Sequence, residues 1–255
     1  DRLRGMPGAY DATLAAIDRC RAHGLEVGLR FTAHALNAHD LDAIFTLCRQ
    51  HDVQRLCIYH LAYAGRGGRM QKVDLTHQQT RDLVDRIFSL TRQAHATGQP
   101  LEVLTVGNHA DAAYAVMRLE RECPKRAEAA WQRLRGTGGN RSGCHIASID
   151  PTGGVHYDQF SWHYTCDHLR ERRFSEIWHA AEDSRLALLR DRAEHLPVRC
   201  RGCRFLEICN GNLRTRAEMA SGDWLAMDPA CYLTNEEIAP LRDKDLGPEN
   251  VKTTS

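Results

Sequence analysis

Lysine is nearly absent. It occurs only at Lys72, Lys125, Lys244 and Lys252, so arginine supplies thirty of the thirty-four basic residues. Genome composition produces skews of this kind, and the result is a chain stocked with planar guanidinium forks that suit carboxylate and phosphate. Net charge is also lacking. The formal value is +1, which excludes a global electrostatic pull towards nucleic acid or an anionic membrane. No apolar run approaches the length of a membrane span, no signal-peptide pattern opens the chain, and there is neither an internal repeat nor a low-complexity segment. What remains is ordinary for a globular protein: 42% hydrophobic and 26% charged residues over 255 positions, enough for one large domain or two smaller ones. Ten cysteines without a secretory context argue against a disulfide framework and for metal-bound or buried thiols in a reducing, cytoplasmic setting.

The first half alternates between helical and strand patterns. Tyr10, Leu14 and Ile17 recur at helical spacing before the stop at Gly24, and Leu25 to Thr32 has strand character. His39 to His51 reads as helix, Val53 to Leu61 as strand, and Ala62 to Met70 as a loop of small residues. Thr76 is a suitable N-cap for a long helix ending near Gly98. Leu101 to Val106 reads as strand, and Ala110 to Glu122 as helix. Strand–helix alternation with little hairpin signal implies parallel strands joined by right-handed crossovers. Three such strands are too few to close a barrel or cover a sheet, so further strands are expected upstream of Asp1. The pattern changes after residue 122. A short helix is expected over Pro124 to Arg135, and a turn-rich loop over Gly136 to Gly143. Two strands flank Asp150-Pro151-Thr152-Gly153-Gly154, a hairpin signature. Helices are expected over Phe174 to Arg192 and Leu213 to Ala220. The expected division is a β/α part over 1–122, a linker over 123–143, a small α+β domain over 144–242 and a polar tail over 243–255.

The most informative stretch lies near the C-terminus: Cys200-x2-Cys203-x5-Cys209, with Cys231 beyond it. Thiolates are soft ligands, and four of them suit zinc or an iron–sulfur cluster. Zinc sites of this size usually pair two short Cys-x2-Cys units. The unequal spacing here, with a distant fourth ligand, favours the cluster. Such a cluster is negatively charged, and Arg199, Arg201, Arg204, Arg214 and Arg216 crowd the same stretch. The other reading is a zinc-stapled binding module. Cys20, Cys48, Cys57 and Cys123 read as core or surface residues.

The cysteine pattern resembles the SPASM auxiliary-cluster region of radical S-adenosylmethionine enzymes. Gly24 to Thr32, Tyr59 to Gly67, Gly139 to Tyr164, Cys209-Asn210-Gly211-Asn212 and Asp228 to Thr234 together resemble the radical enzymes of haem d1 biosynthesis, from Asp1 to about Ile238. The resemblance implies a fold in two parts. The first is the C-terminal half of a partial (β/α) radical S-adenosylmethionine barrel, and the second is a small α+β domain of the SPASM type. The Cys-x3-Cys-x2-Cys motif that binds the radical-generating cluster in that family is absent from this sequence, so the chain is expected to be N-terminally truncated and inactive alone. Leu213 stands where two-cluster relatives carry a further cysteine, which leaves one auxiliary four-iron cluster on Cys200, Cys203, Cys209 and Cys231. Cys144 and Cys166 occupy places of other ligands and are expected to be structural or substrate-facing.

The implied reaction begins with reductive cleavage of S-adenosylmethionine to a 5′-deoxyadenosyl radical at a second four-iron cluster, held mainly by the missing part. Propionate groups of a sirohaem-derived tetrapyrrole are then removed, with a ferredoxin or flavodoxin as electron donor. By the same resemblance Arg30, Thr32 and Asn37 contact S-adenosylmethionine. Barrel enzymes place ligand contacts at the C-terminal ends of strands, which singles out His60, Tyr63 and Arg66, and Asn108 with His109. His145, His156 and His163, on the hairpin region, are further candidates to approach a tetrapyrrole, and His163 joins His60, Tyr63 and Arg66 as an expected substrate residue. The neighbouring alternatives are a radical enzyme of the sirohaem-to-haem route and a peptide-modifying SPASM enzyme.

Overall fold

The computed structural model describes residues 1–179 and 184–240; the polar tail expected over 243–255 lies outside them. The chain divides into two compact units. Asp1–Leu61 and Gln71–Gly107 form the first, and Ala62–Met70 with the described residues from Asn108 onward form the second.

The first unit follows the alternation in the sequence: α1 (Ala9–Ala22), β1 (Gly28–Thr32), α2 (Leu41–Gln50), β2 (Arg55–Tyr59), α3 (His77–Ala96) and β3 (Glu102–Val106). The strands pair in parallel in the order β1-β2-β3. In β2 the alternation puts Leu56 and Ile58 on one face, both fully buried against Phe45 of α2 and Leu83 and Ile87 of α3. Burying each such side chain stabilises by about 1.5–3 kcal/mol. The opposite face carries three rows in register, Gly28–Arg55–Glu102, Arg30–Cys57–Leu104 and Thr32–Tyr59–Val106. Leu104 is 42% exposed there. α3 starts on a reciprocal cap: the Gln79 N–H donates to Thr76 Oγ1 at 3.2 Å, and the Thr76 N–H donates to Gln79 Oε1 at 2.9 Å.

In the second unit α4 (Ala110–Glu122) packs along α5 (Pro124–Thr137). Pro124 at the first turn of α5 and Gly138 in the left-handed region just beyond it are the expected start and stop. The hairpin is present as β4 (Ser148–Ile149) and β5 (Gly154–His156), and a third antiparallel strand, β6 (Asp167–His168), pairs with β5. Of the helix expected over Phe174 to Arg192, the described residues form α6 (Phe174–His179) and α7 (Ser184–Arg190), and residues 180–183 lie outside those described. α8 (Arg192–His195), α9 (Val198–Arg201), α10 (Leu206–Cys209), α11 (Arg214–Ser221) and α12 (Asn235–Ile238) complete the unit. The glycine-rich stretch after β2 is not an open loop, because Gly65–Val73 winds into a 3-10 helix. No helix is long and apolar enough to cross a membrane among the described residues.

Candidate metal centre

Cys200 lies in α9, Cys203 just after it, Cys209 at the end of α10 and Cys231 on the loop before α12. All four line one cavity, together with Arg199, Gly211, Asn212, Met227 and Asp228. The cavity measures about 450 Å³ out to its open mouth. Among the described residues no three or more His, Cys, Asp or Glu side chains gather closely enough to hold a single metal ion. The thiols ring a space and do not close on a point.

The backbone explains the convergence. The Phe205 N–H donates to Cys203 Sγ at 3.4 Å as α10 begins. After Cys209 the chain reverses through Asn210, Gly211 and Asn212, with φ of 53°, 76° and 61°. Three successive left-handed residues need glycine or asparagine, which accounts for the Cys-Asn-Gly-Asn sequence. Gly139, at φ 63°, backs this reversal: a Cβ there would lie 2.4 Å from the Cys209 carbonyl carbon. Asn140 continues the clamp. Its N–H donates to the Cys209 carbonyl at 3.2 Å, and its own carbonyl accepts from Asn210 Nδ2 at 2.7 Å.

The loop bearing Cys231 is held independently. Asp228 is buried, and its carboxylate accepts from both Nε and Nη2 of Arg216 at 2.7 and 2.8 Å. It also accepts from the Leu213 and Ala230 N–H groups. Asn108 Nδ2 donates to the Ala230 carbonyl at 3.0 Å, Asn108 Oδ1 accepts from Asn212 Nδ2 at 2.7 Å, and Asn212 Oδ1 accepts from the His109 N–H at 2.8 Å. Tyr232 donates to Asp111 at 2.8 Å. These contacts draw α4 into the second unit.

Burial disfavours free thiolates at the cavity. Burial pushes the Cys200, Cys203 and Cys209 thiols up, and the neighbouring thiols add to that. A metal must therefore displace protons on binding. The five nearby arginines sort differently. Arg201 is exposed. Arg204 grips both carboxylate oxygens of Glu120, at 2.9 and 3.0 Å, and Arg216 grips Asp228. Arg214 is fully buried with its fork on the carbonyls of Gly211, Trp224 and Ala226; its Nε has no hydrogen-bond partner among the described residues. Burial lowers its pKa, against the raising influence of Asp228, Cys200 and Cys209. Arg199 reaches Cys231 itself, with Nη1 3.6 Å from Sγ. The chemistry of this donor set, four soft sulfurs round a cavity with compensating cations, fits a four-iron cluster.

The remaining expected site residues do not line this cavity. Arg30 is exposed on the open sheet face, with its guanidinium 5.1 Å from the Tyr59 ring centroid, and Thr32 follows on the same face. Asn37 spends its side chain on local backbone, accepting from the His34 N–H at 2.8 Å and donating to the Thr32 carbonyl at 2.9 Å. The sequence reading missed His34. It is 3% exposed, and its Nε2 has no hydrogen-bond partner among the described residues. His60 and Tyr63 are buried, Tyr63 at φ 61°, while Arg66 is exposed. His156 is 1% exposed and engages Asp150 and the Tyr164 carbonyl through its two nitrogens, so it is a core residue. His145 is exposed against Arg141. His163 pairs through Nε2 with Glu218 at 2.8 Å, and Arg185 also donates to that carboxylate. Cys144 donates to the Leu189 carbonyl at 3.5 Å, and Cys166 packs beside Tyr157, Leu186 and Leu189; neither lines the four-thiol cavity.

No family model matches the chain. It is 46% identical over 241 residues to the Fe-coproporphyrin III synthase of Methanosarcina barkeri, covering 93% of this chain and 60% of that protein. It is 38% identical over 247 residues to the pre-heme d1 synthase of Dinoroseobacter shibae, covering 96% of this chain and 61% of that protein. The chain thus spans about three fifths of the length of these curated relatives. Among solved structures, anSMEcpe with bound AdoMet superposes with a TM-score of 0.60 at 11% identity, over 87% of this chain and 56% of that one. That likeness carries the fold alone.

Proposed function

We propose that this chain, homologous through nearly all its length to Fe-coproporphyrin III synthase and pre-heme d1 synthase, is part of a radical S-adenosylmethionine enzyme of a haem pathway. Cys200, Cys203, Cys209 and Cys231 hold its auxiliary four-iron cluster. The observation that carries the reading is the placement of all four thiols on one cavity. When bound, the cluster supplies a relay for single electrons.

In this reading the substrate is a sirohaem-derived tetrapyrrole that loses propionate side chains, and a ferredoxin or flavodoxin feeds the reaction. Arg30 and Thr32, on the open face of the sheet, take S-adenosylmethionine, and Asn37 shapes the turn beside them. His60, Tyr63, Arg66 and His163 serve the substrate. Glu218 holds His163 in one ring orientation. The sequence contains no Cys-x3-Cys-x2-Cys, so this chain's own cysteines do not supply the radical-generating cluster, and the chain alone does not cleave S-adenosylmethionine. The higher identity to Fe-coproporphyrin III synthase, 46% against 38%, favours a second reading of the same site, an enzyme of the sirohaem-to-haem route. Mass spectrometry of the tetrapyrrole product from the full-length protein separates the two.

Anaerobic reconstitution with iron and sulfide tests the metal centre. About four irons per chain with broad visible absorbance are expected. One tightly bound zinc and no colour would overturn the reading. Cys231→Ala is expected to abolish iron loading and Cys144→Ala to preserve it; the reverse result removes the ligand assignment.

A further inference from the structure

The sequence places five arginines about the cysteines without ranking them. The structure ranks them. Arg204 and Arg216 are committed to carboxylates, Arg201 to solvent, and Arg214 to main-chain carbonyls. Arg199 hydrogen-bonds a thiol of the cavity. Its guanidinium is fixed at three points: Nε donates to Asn235 Oδ1 at 2.9 Å, Nη2 to the Leu233 carbonyl, and Nη1 to Cys231 Sγ at 3.6 Å. Its side chain also lines the cavity. Two of the three anchors belong to Leu233 and Asn235, within four residues of Cys231, so the guanidinium is held to the segment that carries that sulfur and moves with it.

We propose that Arg199 is a positioning residue that donates a charge-assisted hydrogen bond to the Cys231 thiolate and thereby sets the reduction potential of the cluster. The inference rests on the four-cysteine reading above. A donor to a ligand sulfur withdraws electron density from it and favours the more reduced, more negative state of the cluster. A planar fork can hold the Leu233 carbonyl, Asn235 and the sulfur at once, which the single ammonium of lysine does not reproduce. Asn235 is the first residue of α12, whose start is fixed by the Thr234–Glu237 capping box. The position of the guanidinium is thus set by a helix end that the metal does not touch.

The test is an anaerobic redox titration of the reconstituted chain followed by electron paramagnetic resonance, with iron content measured on each sample. Arg199→Gln is expected to load iron as the wild type does and to titrate at a more negative midpoint, with an altered reduced-state signal. A wild-type midpoint and signal in iron-loaded Arg199→Gln would overturn the inference. If Arg199→Gln does not load iron, Arg199→Lys is measured in its place. A more negative midpoint in Arg199→Lys supports the inference, and an unchanged one overturns it. Failure of the four-cysteine reading looks different, because the wild-type chain itself then fails to assemble a cluster or Cys231→Ala still loads one.

Discussion

His109 shows how a single side chain records its surroundings. Burial, with the nearby Arg216 charge, pulls its pKa down to about 4. The folded protein thus resists a proton that the unfolded chain accepts near 6.5. The stabilisation is complete above that unfolded value and fades as pH falls from about 6.5 towards 4, by at most about 3 kcal/mol. Urea midpoints of the reconstituted protein are expected to drop across this window in the wild type and to drop less in His109→Gln. Gly139 offers a steric counterpart. An alanine Cβ would press on the Cys209 backbone at 2.4 Å in a conformation already left-handed, where a forced side chain costs about 1–3 kcal/mol. Gly139→Ala is expected to reduce iron content more than Gly136→Ala, whose added Cβ meets nothing within 4 Å; equal iron content would refute the steric account.

Elements differ in how plainly they are written in the chain. α3 was legible because Thr76 and Gln79 form a reciprocal cap and Gly98 follows the last turn. The β4–β5 hairpin was legible because Asp150 Oδ1 accepts from the Thr152, Gly153 and Gly154 N–H groups, a local pattern of short-range residues. β6 was not, since two residues carry no periodicity. Nor were α9 and α10, single turns whose ends are fixed by contacts distant in sequence. The same reason hid the sorting of the arginines and the core role of His156. α11 depends on such a contact, the bidentate pair of Arg216 with Asp228, both almost fully buried. Removing one partner of a buried pair strands the other charge, at about 3–5 kcal/mol. Asp228→Asn is expected to destabilise by that order in chemical denaturation. Arg86→Ala, which breaks a pair with Asp42 at a half-exposed site, is expected to cost under about 1 kcal/mol.

At the scale of the whole molecule, the parallel sheet is the part most readily read from pattern, because alternation and crossover rules leave few alternatives. Its open face, with Arg30, Cys57 and Leu104 in one row, is unlike the buried faces of most parallel sheets. The sulfur cavity raises a different matter. Cys231 is brought home by Arg216–Asp228, by Asn108 and by Tyr232–Asp111, none of which needs a metal. In classical zinc fingers the metal closes the loop and folding free energy is binding free energy. Here contacts within the protein also hold the loop. Such contacts predict a socket and not a staple: a chelator under anaerobic conditions is expected to strip the iron and the colour while far-ultraviolet circular dichroism stays near its starting value. Loss of helical signal in step with iron would contradict this. A socket has a further property, that it can be emptied and refilled without passing through the unfolded chain. Oxygen damage to the cluster would then be a reversible injury, repaired by resupply of iron and sulfide to a polypeptide that has kept its shape.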